Sequence, residues 1–163
     1  MKRVSVIVPL YNEETLIEEL KSRLISSFDY NQFSVEFILV NDGSYDKTAL
    51  LIDEIVSADK RFQAIHLSRN FGHQQAVSVG LSYSEGDYVA IIDGDLQDSP
   101  ESIPEMIDKL SEGYDVVYGV RKKRKEAILK RLSYKIFYLL INKLSDINIP
   151  LDSGDFCVLS KRV

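Results

Sequence analysis

The 163-residue sequence predicts an α/β fold in which helices flank a mostly parallel β-sheet. Short apolar runs rich in β-branched residues alternate with segments of helical periodicity along the chain, which is the order expected of a β-α-β-α protein. The runs are predominantly apolar, as in parallel strands that are buried on both faces. Polar residues directly follow the first four runs, and ligands in such sheets bind beyond the carboxyl ends of the strands. We therefore expect the functional site at that edge of the sheet.

Five runs predict strands because they are rich in β-branched and aromatic residues and are bounded by polar residues. They cover residues 4–8, 35–40, 62–67, 88–92 and 116–118. No apolar run in the sequence approaches the roughly 18 residues that a membrane-spanning helix needs. This chain is therefore expected to be soluble.

Apolar residues at helical spacing predict three helices between these strands. The first two apolar stripes lie within residues 16–25 and 51–56. The third helix has the clearest start, because Ser99 can serve as the N-cap and Pro100 as the first helical residue. Gly113 is the predicted stop of that helix.

The composition is that of one domain without disulfide bonds. A chain of 163 residues suits a single domain, and 45% apolar residues are sufficient for a core. Cys157 is the single cysteine, which excludes an internal disulfide and suits a reducing compartment. Because the sequence has no internal repeat or linker, residues 1–163 are predicted to form one domain.

The charge distribution is uneven. The net charge is −5, but residues 1–115 contain 9 basic and 21 acidic side chains, whereas residues 116–163 contain 11 basic and 4 acidic ones. The basic excess lies entirely within residues 121–135, at the head of an apolar-rich helical segment that continues to residue 141. This pattern excludes a uniformly basic nucleic-acid binder. It is typical of a helix that binds a membrane surface, and the alternative is a core-packed helix with a solvated, charged first half.

Four polar loops follow the first four predicted strands and should therefore meet at one rim of the sheet. They are residues 9–14, 41–44, 68–75 and 93–98. Each loop alone can be an ordinary turn, since Asn, Asp, Gly and Ser are common turn residues. Four loops rich in carboxylates and amides at one rim are harder to explain in that way, so they predict a binding site.

Asp93 and Asp95 are the residues of this rim with the most specific chemistry. They emerge from an apolar strand, and two such close carboxylates repel each other unless protons or a cation neutralise them. Their oxygens suit Mg²⁺ or Mn²⁺, and the amide of Gln97 can add a ligand. Such a metal would neutralise charge on a leaving phosphate. Asp42, after another strand, is placed to accept hydrogen bonds from a base or ribose.

No Gly-x-Gly or Walker sequence is present, which removes the dinucleotide-binding and P-loop interpretations. Sugar-nucleotide pyrophosphorylases are disfavoured too, because residues 9–14 form neither a glycine-rich nor a basic phosphate loop.

At this point the loops resemble those of a known family, the inverting glycosyltransferases of family 2. The resemblance is carried by Val8-Pro9-Leu10-Tyr11-Asn12-Glu13-Glu14, by Asn41-Asp42-Gly43-Ser44 with Asp46 and Thr48, and by Asp93-Gly94-Asp95-Leu96-Gln97-Asp98. Within family 2, three further segments resemble those of the polyprenyl-phosphate glycosyltransferases, which include the bacterial enzymes that act on undecaprenyl phosphate. These are Ser68-Arg69-Asn70-Phe71-Gly72-His73-Gln74, Tyr118-Gly119-Val120-Arg121 and Asp152-Ser153-Gly154-Asp155-Phe156. The resemblance implies a GT-A (Rossmann-like) fold.

The resemblance also implies roles for individual residues. The nucleotide sugar would be held by Pro9, Tyr11, Glu13, Asp42, Gln75 and Asp93. The metal, Mg²⁺ or Mn²⁺, would be held by Asp93, Asp95 and Gln97. Arg121, Arg131 and Ser133 would bind the acceptor phosphate. Asp155 would lie near the reacting sugar and act in catalysis with Asp93 and Asp95, with Asp152 the weaker choice.

The expected partners follow from the same resemblance: a UDP- or GDP-sugar donor, a polyprenyl phosphate acceptor and the cytoplasmic face of a membrane. A second copy of the chain is left open. Two alternatives also remain open, a family 2 enzyme with a saccharide acceptor and an inactive sugar-nucleotide-binding module. Because family members continue beyond the Asp155 segment, residues 1–163 are expected to be a truncated catalytic domain of a membrane-anchored parent.

Overall fold

The computed structural model describes residues 1–120 and 153–163, of which residues 1–118 and 155–163 belong to one compact unit. The strands are β1 (Lys2–Leu10), β2 (Phe33–Asn41), β3 (Phe62–His66), β4 (Tyr88–Ile91), β5 (Val116–Val120) and β6 (Ser153–Ser160). The helices are α1 (Ile17–Ser26), α2 (Thr48–Ala58), α3 (His73–Tyr83) and α4 (Ile103–Leu110), and a 3₁₀ turn (Pro100–Ser102) precedes α4. In the part of the chain that the structure describes, no helix is long and apolar enough to cross a membrane.

The strands form one six-stranded sheet in the order β3-β2-β1-β4-β6-β5. β1 pairs in parallel with β2 and β4, and β2 pairs in parallel with β3, whereas β4 and β6 are antiparallel. The carboxyl ends of β1 to β4 therefore meet at one edge. In β6, Cys157 is the partner of Ile91, so the antiparallel register directs Asp155 toward the same edge, where Asp93 follows β4.

Both faces of the sheet are covered, which explains the predominantly apolar character of the strands. Val8 and Phe37 face a cluster that includes α1, α2 and α4, whereas Ile7 and Ile38 face a second cluster that includes α3. Adjacent side chains of one strand thus contact opposite layers. This packing confirms the expected α/β arrangement and fixes the strand ends that carry the polar loops.

Two elements differ from the sequence predictions. α3 begins at His73, within the segment expected to be a loop, and its buried face consists of the small residues Ala76, Val77 and Gly80. A Cβ at residue 80 would overlap the Ile7 side chain, so this helix packs too closely on β1 for large apolar residues to mark it. β6 was not predicted as an element either, although Cys157 does lie buried in a strand.

The start of the last helix also differs. Ser99 makes no side-chain capping bond, and its carbonyl oxygen accepts hydrogen bonds from the Ser102 N–H (3.0 Å) and hydroxyl (2.7 Å), which closes the 3₁₀ turn. The α-helix itself begins at Ile103, with Pro104 in its first turn, where a missing N–H costs nothing. The predicted N-cap was therefore wrong for the α-helix, while Gly113 does follow its end with a φ of 107°.

Candidate functional site

A cavity of about 380 Å³ lies at the carboxyl edge of the parallel strands. It brings together four residues predicted to hold the nucleoside, Pro9, Tyr11, Glu13 and Asp42. It also contains the carboxylates predicted to act on the diphosphate and the sugar, Asp93, Asp95 and Asp155. Gln75 and Gln97 are exposed and do not line the cavity.

The loops after β1 and β2 are tied together by hydrogen bonds between backbone and side chains. The Asn12 N–H donates to the Ser44 hydroxyl (3.0 Å), and the Asn12 side-chain oxygen accepts from the Tyr45 N–H (2.9 Å). The Glu13 N–H donates to the Thr48 hydroxyl (2.9 Å), and the Glu14 N–H donates to the Asp46 carboxylate (3.1 Å). Asn12 adopts a left-handed backbone (φ 57°), which these contacts hold in place. The cavity wall that carries Tyr11 and Glu13 is therefore fixed by the second loop.

Asp42 fixes the third loop. Its two carboxylate oxygens accept hydrogen bonds from the Phe71 N–H (2.8 Å) and the Gly72 N–H (3.0 Å), and the side chain is only 3% exposed. Next to it, Gly43 has a φ of 66°, and a Cβ there would overlap the backbone of Arg69. Asp42 lines the cavity, as its predicted role requires, and also holds the backbone that leads into α3.

The loop after β4 is shaped around Asp95. The Asp95 carboxylate accepts a hydrogen bond from the Gln97 N–H (3.0 Å), and Leu96 between them has a left-handed backbone (φ 58°). A Cβ at Gly94 would overlap the Leu10 side chain, so the glycine lets this loop approach β1 closely. These local constraints place both Asp93 and Asp95 at the cavity.

His73 lies between two of the cavity carboxylates. Its Nε2 is 3.1 Å from Asp155 Oδ2, and its Nδ1 is 3.7 Å from Asp93 Oδ1. His73 is the first residue of α3. His66 contacts Asn41 and Asp53 outside the cavity.

The electrostatics of the cavity favour a positively charged ligand. Burial raises the pKa of Asp93, and the carboxylates of Asp95, Asp98 and Asp155 raise it further. His73 lowers this pKa, but by less than the other effects raise it. Burial also raises the pKa of Glu13, to which Asp95 contributes. A raised carboxyl pKa means that burial and the neighbouring carboxylates disfavour the ionised form.

The residues present fit a divalent cation only in part. Among the described residues, no group of three or more His, Cys, Asp or Glu side chains is arranged to hold a metal ion. Asp93 and Asp95 nevertheless supply hard oxygen donors in a cavity that also contains the carboxylates of Glu13 and Asp155, and such donors are the ones that Mg²⁺ and Mn²⁺ select. Ions of this kind usually take one or two protein carboxylates and complete their coordination with phosphate oxygens and water.

Several predicted residues lie outside the described part of the chain. These are the acceptor-phosphate residues Arg121, Arg131 and Ser133, the weaker catalytic choice Asp152, and the basic helical segment of residues 121–141.

The cavity also contains residues that the sequence did not single out, notably Asn70, Gly72 and Ala76 together with His73. Asn70, Gly72 and His73 belong to the third polar loop, whose position after β3 was the available signal. Ala76 belongs to the helix that the sequence analysis missed, so no signal marked it.

Comparison with known proteins finds glycosyltransferases among the relatives of this chain. The model of the family described as glycosyl transferase family 2 matches residues 5–163. The chain is 45% identical over 160 residues to the uncharacterized glycosyltransferase YkcC of Bacillus subtilis, a match over 98% of this chain and 50% of that protein. It is 37% identical over 144 residues to the undecaprenyl-phosphate 4-deoxy-4-formamido-L-arabinose transferase of Salmonella choleraesuis, over 88% of this chain and 44% of that protein. The chain spans about half the length of the curated relatives it matches.

The fold is also found among solved structures. The mannosyltransferase PcManGT of Pyrobaculum calidifontis, in complex with GDP-Man and Mn²⁺, matches with a TM-score of 0.70 and 21% identity, over 99% of this chain and 45% of that one. An identity this low supports the fold alone. The predicted fold class, an α/β protein of the GT-A type with a mostly parallel sheet, is thereby confirmed.

Proposed function

This chain belongs to glycosyl transferase family 2, and from that premise we propose that residues 1–163 form the nucleotide-sugar-binding catalytic domain of an inverting, metal-dependent enzyme. The donor is a UDP- or GDP-sugar, and the acceptor is a polyprenyl phosphate at the cytoplasmic face of a membrane.

One observation carries the proposal: a single cavity gathers side chains from the loops that follow β1, β2, β3 and β4, together with Asp155 of β6. Tyr11 and Asp42 lie in the same cavity as Asp93, Asp95 and Asp155. Its volume of about 380 Å³ falls in the usual range of roughly 300–1,000 Å³ for small-molecule sites. A nucleoside at the Tyr11 side would extend its diphosphate toward the two carboxylates that follow β4.

The reaction places few demands on acid–base chemistry. A phosphate monoester has a second pKa near about 6, so the acceptor is already largely a dianion at neutral pH. Its oxygen would attack the anomeric carbon opposite the nucleotide, which inverts the configuration. Because the acceptor needs no general base, the chain acts mainly by holding two anionic substrates in line.

In this scheme Asp93 and Asp95 hold the divalent cation, with the exposed Gln97 as an additional ligand. When bound, the cation neutralises charge on the leaving diphosphate. Pro9, Tyr11, Glu13, Asp42 and Gln75 hold the nucleotide. Asp155 orients the sugar through hydrogen bonds to its hydroxyl groups.

The acceptor assignment is supported by the 37% identical relative, whose name specifies undecaprenyl phosphate. It is also supported by the basic excess at residues 121–135, which would counter the repulsion between a lipid phosphate and a diphosphate. Arg121, Arg131 and Ser133 are the proposed acceptor-phosphate residues. A saccharide acceptor is the competing possibility within the family, and an inactive binding module is the alternative outside catalysis.

The decisive experiment is a calorimetric panel of UDP- and GDP-sugars against the whole chain, with and without Mn²⁺. We expect one nucleotide class to bind with metal-dependent affinity and Asp95→Ala to remove that dependence. Asp87→Ala is the matched control, since Asp87 is exposed and does not line the cavity. Binding that ignores both Mn²⁺ and Asp95→Ala would overturn the metal assignment, and failure of every nucleotide to bind would overturn the proposed function.

A second experiment separates the acceptors. Transfer of sugar to a short-chain polyprenyl phosphate, but not to an oligosaccharide, supports the lipid acceptor. The opposite result assigns the chain to a saccharide-acceptor enzyme.

A further inference from the structure

His73 has a local environment that the proposed function does not require. Its side chain is 35% exposed as a whole, yet its Nε2 atom is buried and makes no well-aligned hydrogen bond with any described residue. The nearest acceptor is Asp155 Oδ2 at 3.1 Å, a hydrogen-bond length without the required angle. A buried donor or acceptor left unsatisfied costs about 1–3 kcal/mol, so such a group calls for a physical explanation.

The position of His73 in the fold suggests that explanation. It is the first residue of α3, and Gly72 before it adopts a φ of 99° that turns the chain into the helix. The Gly72 N–H is in turn held by the buried Asp42 carboxylate. The imidazole is therefore attached to a rigid point, while Asp155, with a side chain that is 54% exposed, is comparatively unconstrained.

His73 also connects two strands. Asp93 follows β4 and Asp155 lies in β6, and the imidazole has one nitrogen facing each carboxylate. At 3.7 Å the distance from Nδ1 to Asp93 is longer than a hydrogen bond, whereas the distance of 3.1 Å from Nε2 to Asp155 is within the hydrogen-bond range. Catalytic hydrogen bonds in ligand-free structures are often poorly aligned and tighten when the substrate binds.

We propose that His73 is a positioning residue: its Nε2–H donates to the Asp155 carboxylate and holds that side chain at the cavity. That Asp155 orients the sugar rests on the proposed function, whereas the contact between His73 and Asp155 does not. This bond requires a ring proton on Nε2, while Nδ1 faces Asp93.

Ring nitrogens can be observed directly, and the chain has only two histidines. In ¹⁵N-labelled protein, long-range proton–nitrogen correlation separates a protonated ring nitrogen from an unprotonated one. We expect Nε2 of His73 to be protonated in the free protein, with a ring proton protected from exchange. Asp155→Ala should remove that protection and shift both ring nitrogens. The His66 signals should stay unchanged, because its partners are Asn41 and Asp53.

Nucleotide-sugar affinity distinguishes a positioning role of His73 from a merely structural one, which would leave this affinity unchanged. We expect His73→Leu to leave the affinity for the free nucleotide nearly unchanged but to lower the affinity for the nucleotide sugar about tenfold, the value of a lost hydrogen bond to a charged group. His73→Gln should restore part of that loss, because its amide can donate from a similar position. Gln74→Leu, at the exposed neighbouring position on α3, should change neither affinity.

The outcomes are distinguishable. An unchanged His73 ring spectrum in Asp155→Ala would overturn the pairing, whether or not a nucleotide binds. A normal nucleotide-sugar affinity in His73→Leu would overturn the positioning role. Failure of the unaltered chain to bind any nucleotide would overturn the proposed function and leave the pairing to be decided by the ring spectrum.

Discussion

At the scale of single residues, the cavity contains carboxyl groups whose ionised form is disfavoured by burial and by neighbouring carboxylates. Asp93 is the clearest case, because burial raises its pKa and three neighbouring carboxylates raise it further. A carboxyl group with a raised pKa in the folded state stabilises the protein below its ordinary pKa of 3.8. That contribution is lost as the pH rises through the raised folded-state pKa. The free protein therefore tolerates an ionised Asp93 at neutral pH, and a bound cation would relieve the cost.

Asp93→Asn should consequently have opposite effects on stability and on binding. The variant should raise the melting temperature of the free protein at pH 7, where each 1 kcal/mol corresponds to about 2–4 °C for a domain of this size. It should also weaken metal-dependent nucleotide binding by more than about tenfold. The difference in melting temperature should shrink on acidification, as Asp93 becomes protonated in the unaltered protein. Thermal melts at several pH values and calorimetry measure both effects. Asp87→Asn is the control, and a lower melting temperature for Asp93→Asn at pH 7 would contradict the prediction.

Cys157 gives a second residue-scale prediction. Burial, with a smaller contribution from Asp155, raises the pKa of this thiol from 9.0 to about 11. The thiolate is the reactive form, so alkylation at pH 8 should be slower than for a free cysteine by about a hundredfold or more. Its contribution to stability is present below pH 9 and is lost as the pH rises to about 11. Labelling with iodoacetamide, with and without denaturant, measures the reactivity. Rapid labelling of the folded chain would show that Cys157 is accessible and ionised.

At the scale of elements, the loops are held by one another rather than by their own turn geometry. The first loop depends on side chains of the second, and the third depends on Asp42 and Gly43. The sequence identified all four loops, because polar residues after apolar strands are a local signal. It did not reveal how the loops bond to one another, since Thr48 and Asp46 act on backbone groups more than 30 residues away.

The difference between local sequence signals and long-range contacts also explains which strands and helices were predicted. β1 to β4 are marked by predominantly apolar runs, and α1 and α4 by wide apolar stripes. α3 is hidden because close packing on β1 demands Ala76 and Gly80 in place of large apolar residues. The position of Asp155 opposite the end of β4 depends on an antiparallel register between distant segments, which local patterns do not encode.

Gly43 provides a prediction about the junction of the second and third loops. Gly43→Ala should destabilise the protein by about 2–5 kcal/mol, because a left-handed alanine costs about 1–2 kcal/mol and overlap with Arg69 adds about 1–3 kcal/mol. Gly113→Ala is the matched control, since residue 113 has a φ of 107° but a Cβ added there would meet nothing within 4 Å. It should cost only the backbone strain. Chemical denaturation measures both, and equal losses would mean that the close approach to Arg69 has no energetic weight.

Thr48 provides a prediction about the contact between the first and second loops. Thr48→Val keeps the shape of this fully buried side chain but removes the oxygen that accepts from the Glu13 N–H. We expect a loss of about 1–2 kcal/mol in stability and a weaker nucleotide affinity, because the wall that carries Tyr11 and Glu13 loosens. Thr15→Val, at an exposed position just after the first loop, is the control and should change neither quantity. A stability loss with unchanged nucleotide affinity would show that this wall does not contact the nucleotide.

At the scale of the whole molecule, the charge asymmetry separates two tasks. Residues 1–115 contain 21 acidic and 9 basic side chains and include most of the cavity, and under the proposed function this part would need a cation to bind an anionic donor. Such a body would be repelled by an anionic lipid surface. Residues 121–135, with eight basic side chains and one acidic one, contain the charge that could overcome that repulsion. Membrane association, if it follows from charge, must therefore depend on this segment.

The corresponding prediction concerns binding to vesicles. Replacing Lys122, Lys123, Arg124 and Lys125 with Gln should weaken binding to vesicles that contain anionic lipid by up to about 4 kcal/mol, at about 1 kcal/mol for each basic residue near the surface. The matched control replaces four exposed lysines elsewhere, Lys47, Lys60, Lys109 and Lys161, which changes the net charge equally. If net charge alone governed association, both variants would lose affinity to the same extent. A selective loss in the first variant, which disappears at high salt or with neutral vesicles, would place the membrane contact at residues 121–135. Undiminished binding of the first variant would favour the other interpretation of this segment, a packed helix with a solvated charged half.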